Sequence, residues 1–185
     1  MESEKELLES IKSGDRQALR RLYSRYAGRA MAVGLRYVPQ RDEANDVLQE
    51  SFIKVFASIV SFQYRGEGSL RGWVLRIVAN EAISYLRQKS RFTFVDDMPD
   101  VPDEPGDPDV EEIPPSVLTR LIGELPEGYR VVLNLYVFGQ KSHKQIAEDL
   151  GIKEATSASQ YLRAKRLLAR KIKDYLNDRQ NDEQE

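Results

Sequence analysis

From Asp15 onward, apolar side chains return every third or fourth position: Leu19, Leu22, Tyr23, Tyr26, Ala30 and Val33. That spacing puts them on one face of a helix. Asp15, after Gly14, is a suitable N-cap, and the pattern ends near Pro39. A second stripe follows at Ala44, Val47, Leu48, Phe52, Val55, Phe56 and Ile59, with Asp42 placed to cap it. The Gly-containing stretch FQYRGEGS interrupts the periodicity. Ser69 then opens a third long helix bearing Leu70, Trp73, Val74, Ile77 and Val78 and running to about Arg91. No alternating strand pattern appears, so amphipathic helices in series predict an all-α protein built from helical bundles.

Between Thr93 and Pro115 the pattern disappears. Pro99, Pro102, Pro105, Pro108, Pro114 and Pro115 stand among Asp and Glu. Such proline density prevents a helix, and like charges extend the chain. We therefore expect two small helical domains, 1–92 and 116–177, joined by an acidic Pro-rich flexible linker over 93–115. A disordered polar tail is expected over 178–185.

Composition adds three constraints. The 185 residues include no cysteine, which removes disulfides and thiolate metal sites and fits a reducing compartment. The start MESEKELLES lacks the basic residues and apolar run of a signal peptide, and no apolar stretch approaches the ~18 residues of a membrane span. A cytoplasmic location without a membrane span is the expectation. The net charge of -2 conceals segregation. Residues 62–92 carry six basic and two acidic side chains, 93–112 nine acidic and none basic, and 153–173 seven basic and one acidic. Two basic helical segments around an acidic spacer suggest a polyanion touched at two places, although charged faces on solvated helices are common.

The most informative stretch is SHKQIAEDLGIKEATSASQYLRAKRLL, residues 142–168. Ser142 and Gln145 form a capping-box pair. Ile146, Ala147 and Leu150 give the inner face of a short helix. Gly151 permits a sharp turn, and Ile152 fills its angle. The next helix turns Ser157, Tyr161, Ala164 and Leu168 inward. Ala158, Ser159, Leu162, Lys165 and Arg166 lie on or near its outer face, with Gln160 and Arg163 flanking. This is helix-turn-helix grammar, in which small residues approach bases and later cations reach phosphates. A plain helical hairpin is the alternative.

At this point the sequence resembles a family. LPEGYRVVLNLYVFGQKSHKQIAEDLG is similar to region 4 of extracytoplasmic-function sigma factors of the sigma-70 family. EANDVLQESFIKVFASIVSF resembles their region 2.1–2.2, and GSLRGWVLRIVANEAISYLRQKSR their region 2.3–2.4. The resemblance covers nearly the whole chain apart from the tail. It implies a sigma factor that binds core RNA polymerase, through its clamp helices and flap, and directs promoter-specific initiation.

It also implies roles for individual residues. Asp46, Gln49, Glu50 and Phe52 would dock on the polymerase clamp helices, with core packing the alternative for Phe52. The loop before Ser69 and the helix beyond it would open and hold the −10 element, through Arg71, Arg76, Asn80, Arg87, Lys89 and Arg91. Asn80 would either bond a base or cap a buried backbone group, and Trp73 fits core better than stacking platform. The −35 element would be read by Thr156, Ala158, Ser159, Gln160, Leu162, Arg163, Lys165 and Arg166. An anti-sigma factor is an implied partner, and no cofactor, metal or catalytic residue is implied. The sequence departs from the family pattern at Ala79, Ser84 and Ala158, and lacks the usual Gly before Thr156.

Three rivals are weaker. A response-regulator-type helix-turn-helix protein needs an upstream receiver of alternating strands and helices, which residues 1–92 lack. For an enzyme there is one histidine, His143, no Gly-rich phosphate loop, and carboxylates clustered where nothing fixes their separation. A helical adaptor leaves the two basic segments unexplained.

Overall fold

Ser3 and Glu6 form a capping box that the sequence reading missed: the Glu6 amide donates to Ser3 Oγ at 3.2 Å and the Ser3 amide to Glu6 Oε2 at 2.8 Å. Together they start helix α1 (Glu4–Lys12), whose Leu7, Leu8 and Ile11 are buried. The computed structural model describes residues 2–89 and 113–182, the side chains of the last three excepted. The chain divides into two compact units, Met1–Ser90 and Arg91–Glu185. Among the described residues every regular element is helical.

In the first unit, α2 (Arg16–Tyr37) begins at the expected cap, Asp15, which accepts from the Gln17 amide at 2.8 Å. Helix α3 (Arg41–Ser58) has Gln40, not Asp42, as its last extended residue. Asp42 and Glu43 instead sit in the first turn, where a negative charge suits the helix dipole. A 3-10 turn (Ile59–Ser61) leads through the glycine loop to α4 (Ser69–Lys89). The core combines Leu7, Leu22, Tyr26, Phe52, Val55, Ile59, Leu70 and Val74 from all four helices and the turn. Each fully buried aliphatic side chain contributes roughly 1.5–3 kcal/mol. Two ion pairs, Lys54–Glu81 and Lys89–Glu43, tie α3 to α4.

In the second unit, α5 (Pro115–Gly123) starts with Pro115 at its first position, where a missing N–H costs nothing. The expected linker therefore gives way to folded structure before its predicted end. Ile113 is already buried, against Leu121 and Ile172. The stretch 93–112 lies outside the described residues. Helices α6 (Glu127–Val137), α7 (His143–Leu150) and α8 (Glu154–Asp182) follow. Where a disordered tail over 178–185 is expected, α8 continues to Asp182, and 183–185 lie outside the described residues.

Candidate nucleic-acid interfaces

The glycine loop builds the first site. Gly66 and Gly68 hold φ of 116° and 88°, values that side chains with a Cβ rarely adopt. The chain can therefore reverse between the 3-10 turn and α4. An open cavity of about 590 Å³ results, lined by Ser58, Ser61, Phe62, Gln63, Arg65, Ser69, Gly72, Trp73, Arg76 and Ile77. Trp73 and Phe62 lie with ring centroids 4.9 Å apart, so Trp73 is both core contact and cavity wall. The lining combines aromatic faces, hydroxyls, an amide and two guanidinium groups. That chemistry suits an unstacked base with its phosphate.

Beyond the cavity, Asn80 and Arg87 follow Arg76 at four and eleven positions, which keeps all three on one exposed face of α4. Asn80 is exposed, so the reading in which it caps a buried backbone group falls. Lys89 reaches across to Glu43 and lies 6.0 Å from the Tyr85 ring. Arg71 is separated from this face. It lines a second, smaller cleft of about 160 Å³ with Glu4, Arg25, Tyr26, Arg29, Glu67 and Gly68. Arg91 lies outside the described residues.

Ser69 is expected to cap α4, but its hydroxyl serves the loop. It donates to Gly66 O at 2.6 Å and accepts from the Arg65 amide at 3.2 Å. The cap comes from Glu4, on α1. This carboxylate is 2% exposed and accepts from the amides of Gly68, Leu70 and Arg71 at 2.9, 3.0 and 3.0 Å. The Tyr26 hydroxyl adds a fourth bond at 2.8 Å. Burial acts to raise the Glu4 pKa, but these four bonds prevail and hold it below its ordinary value. Burial and the Glu4 bond push the Tyr26 hydroxyl up.

On α3, Asp46, Gln49 and Glu50 are exposed as expected, but Phe52 is not. It is 2% exposed, edge-on to Tyr23 at 4.7 Å, because it falls four residues after Leu48 and three before Val55 on the buried face. Phe56, expected in the core stripe, is partly exposed. Ile53, on the same helix, and Val60, in the 3-10 turn that follows it, are 60% and 63% exposed. The sequence reading missed this apolar patch. Its signal was available: Ile53 and Val60 stand seven residues apart, off the core stripe.

In the second unit the helix-turn-helix forms as its grammar predicts. Ser142 and Gln145 make both capping bonds, and Gly151 closes α7 in the left-handed region at φ 68°. His143 is half-buried. Its ring stacks on Tyr136 at 4.7 Å, and Nδ1 lies 3.0 Å from the buried Ser157 hydroxyl. That contact joins α7 to the first turns of α8. Ala158, Ser159, Leu162, Lys165 and Arg166 share the outer side of α8. Of these Ala158, Leu162 and Lys165 are exposed, while Ser159 and Arg166, like Thr156 and Arg163 beside them, are half-buried.

Gln160 is the exception. It is 1% exposed, because it follows Ser157 by three and precedes Ala164 by four on the inward stripe. It is not part of the outer face, and its Nε2 finds no hydrogen-bond partner among the described residues. Arg130, on α6, is buried and donates to Gly123 O at 3.2 Å and Leu125 O at 2.7 Å. It stabilises the carbonyl end of α5.

Among the described residues no group of three or more His, Asp or Glu is placed to hold a metal, and no helix is long and apolar enough to cross a membrane. The fold and these surfaces define a helical DNA-reading protein with a helix-turn-helix in its second unit.

Sequence comparison narrows this class. Residues 22–92 match Sigma-70 region 2, and residues 116–168 match Sigma-70, region 4. The chain is 33% identical to the ECF RNA polymerase sigma-E factor of Haemophilus influenzae, over 90% of this chain and 93% of that one. It is 27% identical to the RNA polymerase sigma-H factor of Pseudomonas aeruginosa, over 96% and 97%. A solved structure of the sigma factor RpoE in complex with the anti-sigma factor NepR, from Bartonella quintana, aligns with a TM-score of 0.49 at 20% identity, covering 83% of this chain and 96% of that one. The chain belongs to the sigma-70 family, as a promoter-recognising transcription initiation factor of the extracytoplasmic-function type.

Proposed function

We propose that the first unit, residues 1–92, docks on the clamp helices of core RNA polymerase and captures the −10 element, while the second, residues 116–177, reads the −35 element and meets the flap. The acidic stretch 93–112 tethers them. The observation that carries this reading is the open cavity beside Trp73, at the start of a helix whose exposed face bears Arg76, Asn80 and Arg87. An unstacked base enters the cavity, and the cations hold the strand on either side of it. Arg71, Lys89 and Arg91 supply further phosphate contacts, Lys89 after leaving Glu43.

The docking surface is the outer side of α3. Asp46, Gln49 and Glu50 precede an exposed apolar patch of Ile53, Phe56 and, just past the helix, Val60, which joins polar and apolar contacts of the kind an interface uses. Phe52 supports it from beneath. On α8, Ala158, Ser159 and Leu162 face base edges, and Arg163, Lys165 and Arg166 face phosphates, with Thr156 near the entry of the helix. Gln160 takes no part. The work is binding and opening, without a catalytic residue or cofactor, in the cytoplasm. An anti-sigma factor covers these surfaces when initiation is to be withheld.

The test is run-off transcription by bacterial core polymerase on a promoter library, with and without the protein. The expected result is protein-dependent initiation from a shared pair of elements, and loss of core binding in an Ile53→Asp, Phe56→Asp double variant that stays folded. A folded wild-type protein that neither binds core nor directs initiation overturns the reading.

A further inference from the structure

The two helices that begin at Glu4 and Ser69 cap each other. Glu4 accepts from three amides at the start of α4, as described. In return Glu67, just before α4, accepts from the Glu4 amide at 3.3 Å and from the Arg25 guanidinium at 3.4 Å. At the other end of α1, Lys12 Nζ donates to Phe62 O at 2.9 Å. The loop between Phe62 and Arg71 is thus held at its entry by Lys12 and at its exit by Glu4. These residues lie 50 to 67 positions away in sequence.

No residue of α1 lines the cavity, yet the segment that α1 holds supplies one side of its wall. Phe62, Gln63, Arg65 and Ser69 belong to it, and Gly72 and Trp73 are in the first turns of the helix that Glu4 caps. Local capping is not available, because the Ser69 hydroxyl is committed within the loop. Without Glu4, three amides at this end of α4 lose their acceptor, and the first turn is free to fray. We infer that α1 is the positioning element of this cavity: Glu4 and Lys12 fix the loop in the shape that accepts an unstacked base, and so set both affinity and base preference at the −10 element. This rests on the reading of the cavity given above.

The sole tryptophan, Trp73, makes the test direct. The full chain is titrated with a single-stranded 12-mer DNA carrying the −10 sequence returned by the promoter library, and with the same 12-mer substituted at each position. Trp73 fluorescence is the readout, with core binding and thermal melting in parallel. Wild type is expected to show a change on binding and a preference for one base at one position. Glu4→Gln, which keeps the shape but loses the charge, is expected to bind about tenfold more weakly, with that preference diminished and core binding kept. Glu4→Asp should recover more of the preference than Glu4→Gln. Lys12→Met, at an exposed position, should weaken binding about threefold.

A purely structural role predicts a lower melting temperature with unchanged preference in the folded fraction, and that outcome overturns the inference. Where Glu4→Gln fails to fold, Lys12→Met decides, and unaltered affinity and preference in that variant overturn it. A wild-type protein with no Trp73 response to any 12-mer removes the cavity reading itself, and this inference with it.

Discussion

The first unit shapes its reading surface with distant contacts, whereas the helix-turn-helix turn of the second is closed by near ones. In the first, the cap on α4 crosses from residue 4 to residues 68–71, and Lys12 reaches Phe62. In the second, the Ser142–Gln145 box spans three positions, Gly151 closes α7, and His143 meets Ser157 fourteen residues on. A surface shaped locally needs little of the chain to exist. One shaped by distant parts registers changes in any of them.

The contrast can be broken most forcefully in the second unit. Ile146 is fully buried on the inner face of α7. Ile146→Ala should cost about 2–5 kcal/mol and abolish −35 recognition. The Trp73 response to single-stranded DNA should persist, since that probe reports on the first unit alone. Loss of the Trp73 response in this variant would show that the two units do not act independently.

Acid gives the reciprocal test. The Glu4 carboxylate lies below its ordinary value of 4.5 in the folded state. Its contribution is therefore complete above that value, and is lost as pH falls through the lowered folded value. A melting series from pH 7 downward should show the first unit losing stability in that window, and Glu4→Gln should lose less there than wild type. Equal acid sensitivity in the two proteins would remove Glu4 as the cause.

Smaller effects sharpen the picture. Ser142→Ala should cost the second unit about 1 kcal/mol in chemical denaturation, the ordinary loss for a local cap. Gln160→Met should go the other way: it replaces a buried amide whose Nε2 has no partner among the described residues. A gain of up to about 1 kcal/mol is expected, with −35 affinity unchanged in a binding titration. A marked loss of −35 affinity would return Gln160 to the reading surface.

The same division explains what could be read from the sequence. The helix-turn-helix was legible because each of its devices sits within a few residues of what it controls. The stripes of α2 and α3 were legible from their period, and Asp15 as a cap from its place after Gly14. Glu4 was not, because no local pattern ties a residue in α1 to amides 64 positions on. Gln160 was misplaced for a different reason. It lies at the edge of a stripe, where a shift of one position turns a side chain from outside to inside. Ile53 and Val60 were overlooked because apolar residues are expected to be core, and these two are not. The class of the protein survived these errors because it depended on order and period, not on any one contact.

Helix α8 runs from Glu154 to Asp182 without glycine or proline. It is clamped well before its far end, where Ile172 meets Ile113 and Leu121, and its near end carries Ala158 and Ser159. The separation is roughly 21 Å along a continuous rod. Such a rod is a lever: tilting it at the clamp by about five degrees swings the reading end by about 2 Å, a large part of the 3.4 Å step between bases on a strand. Alignment on DNA is thus decided partly by aliphatic side chains that never approach it.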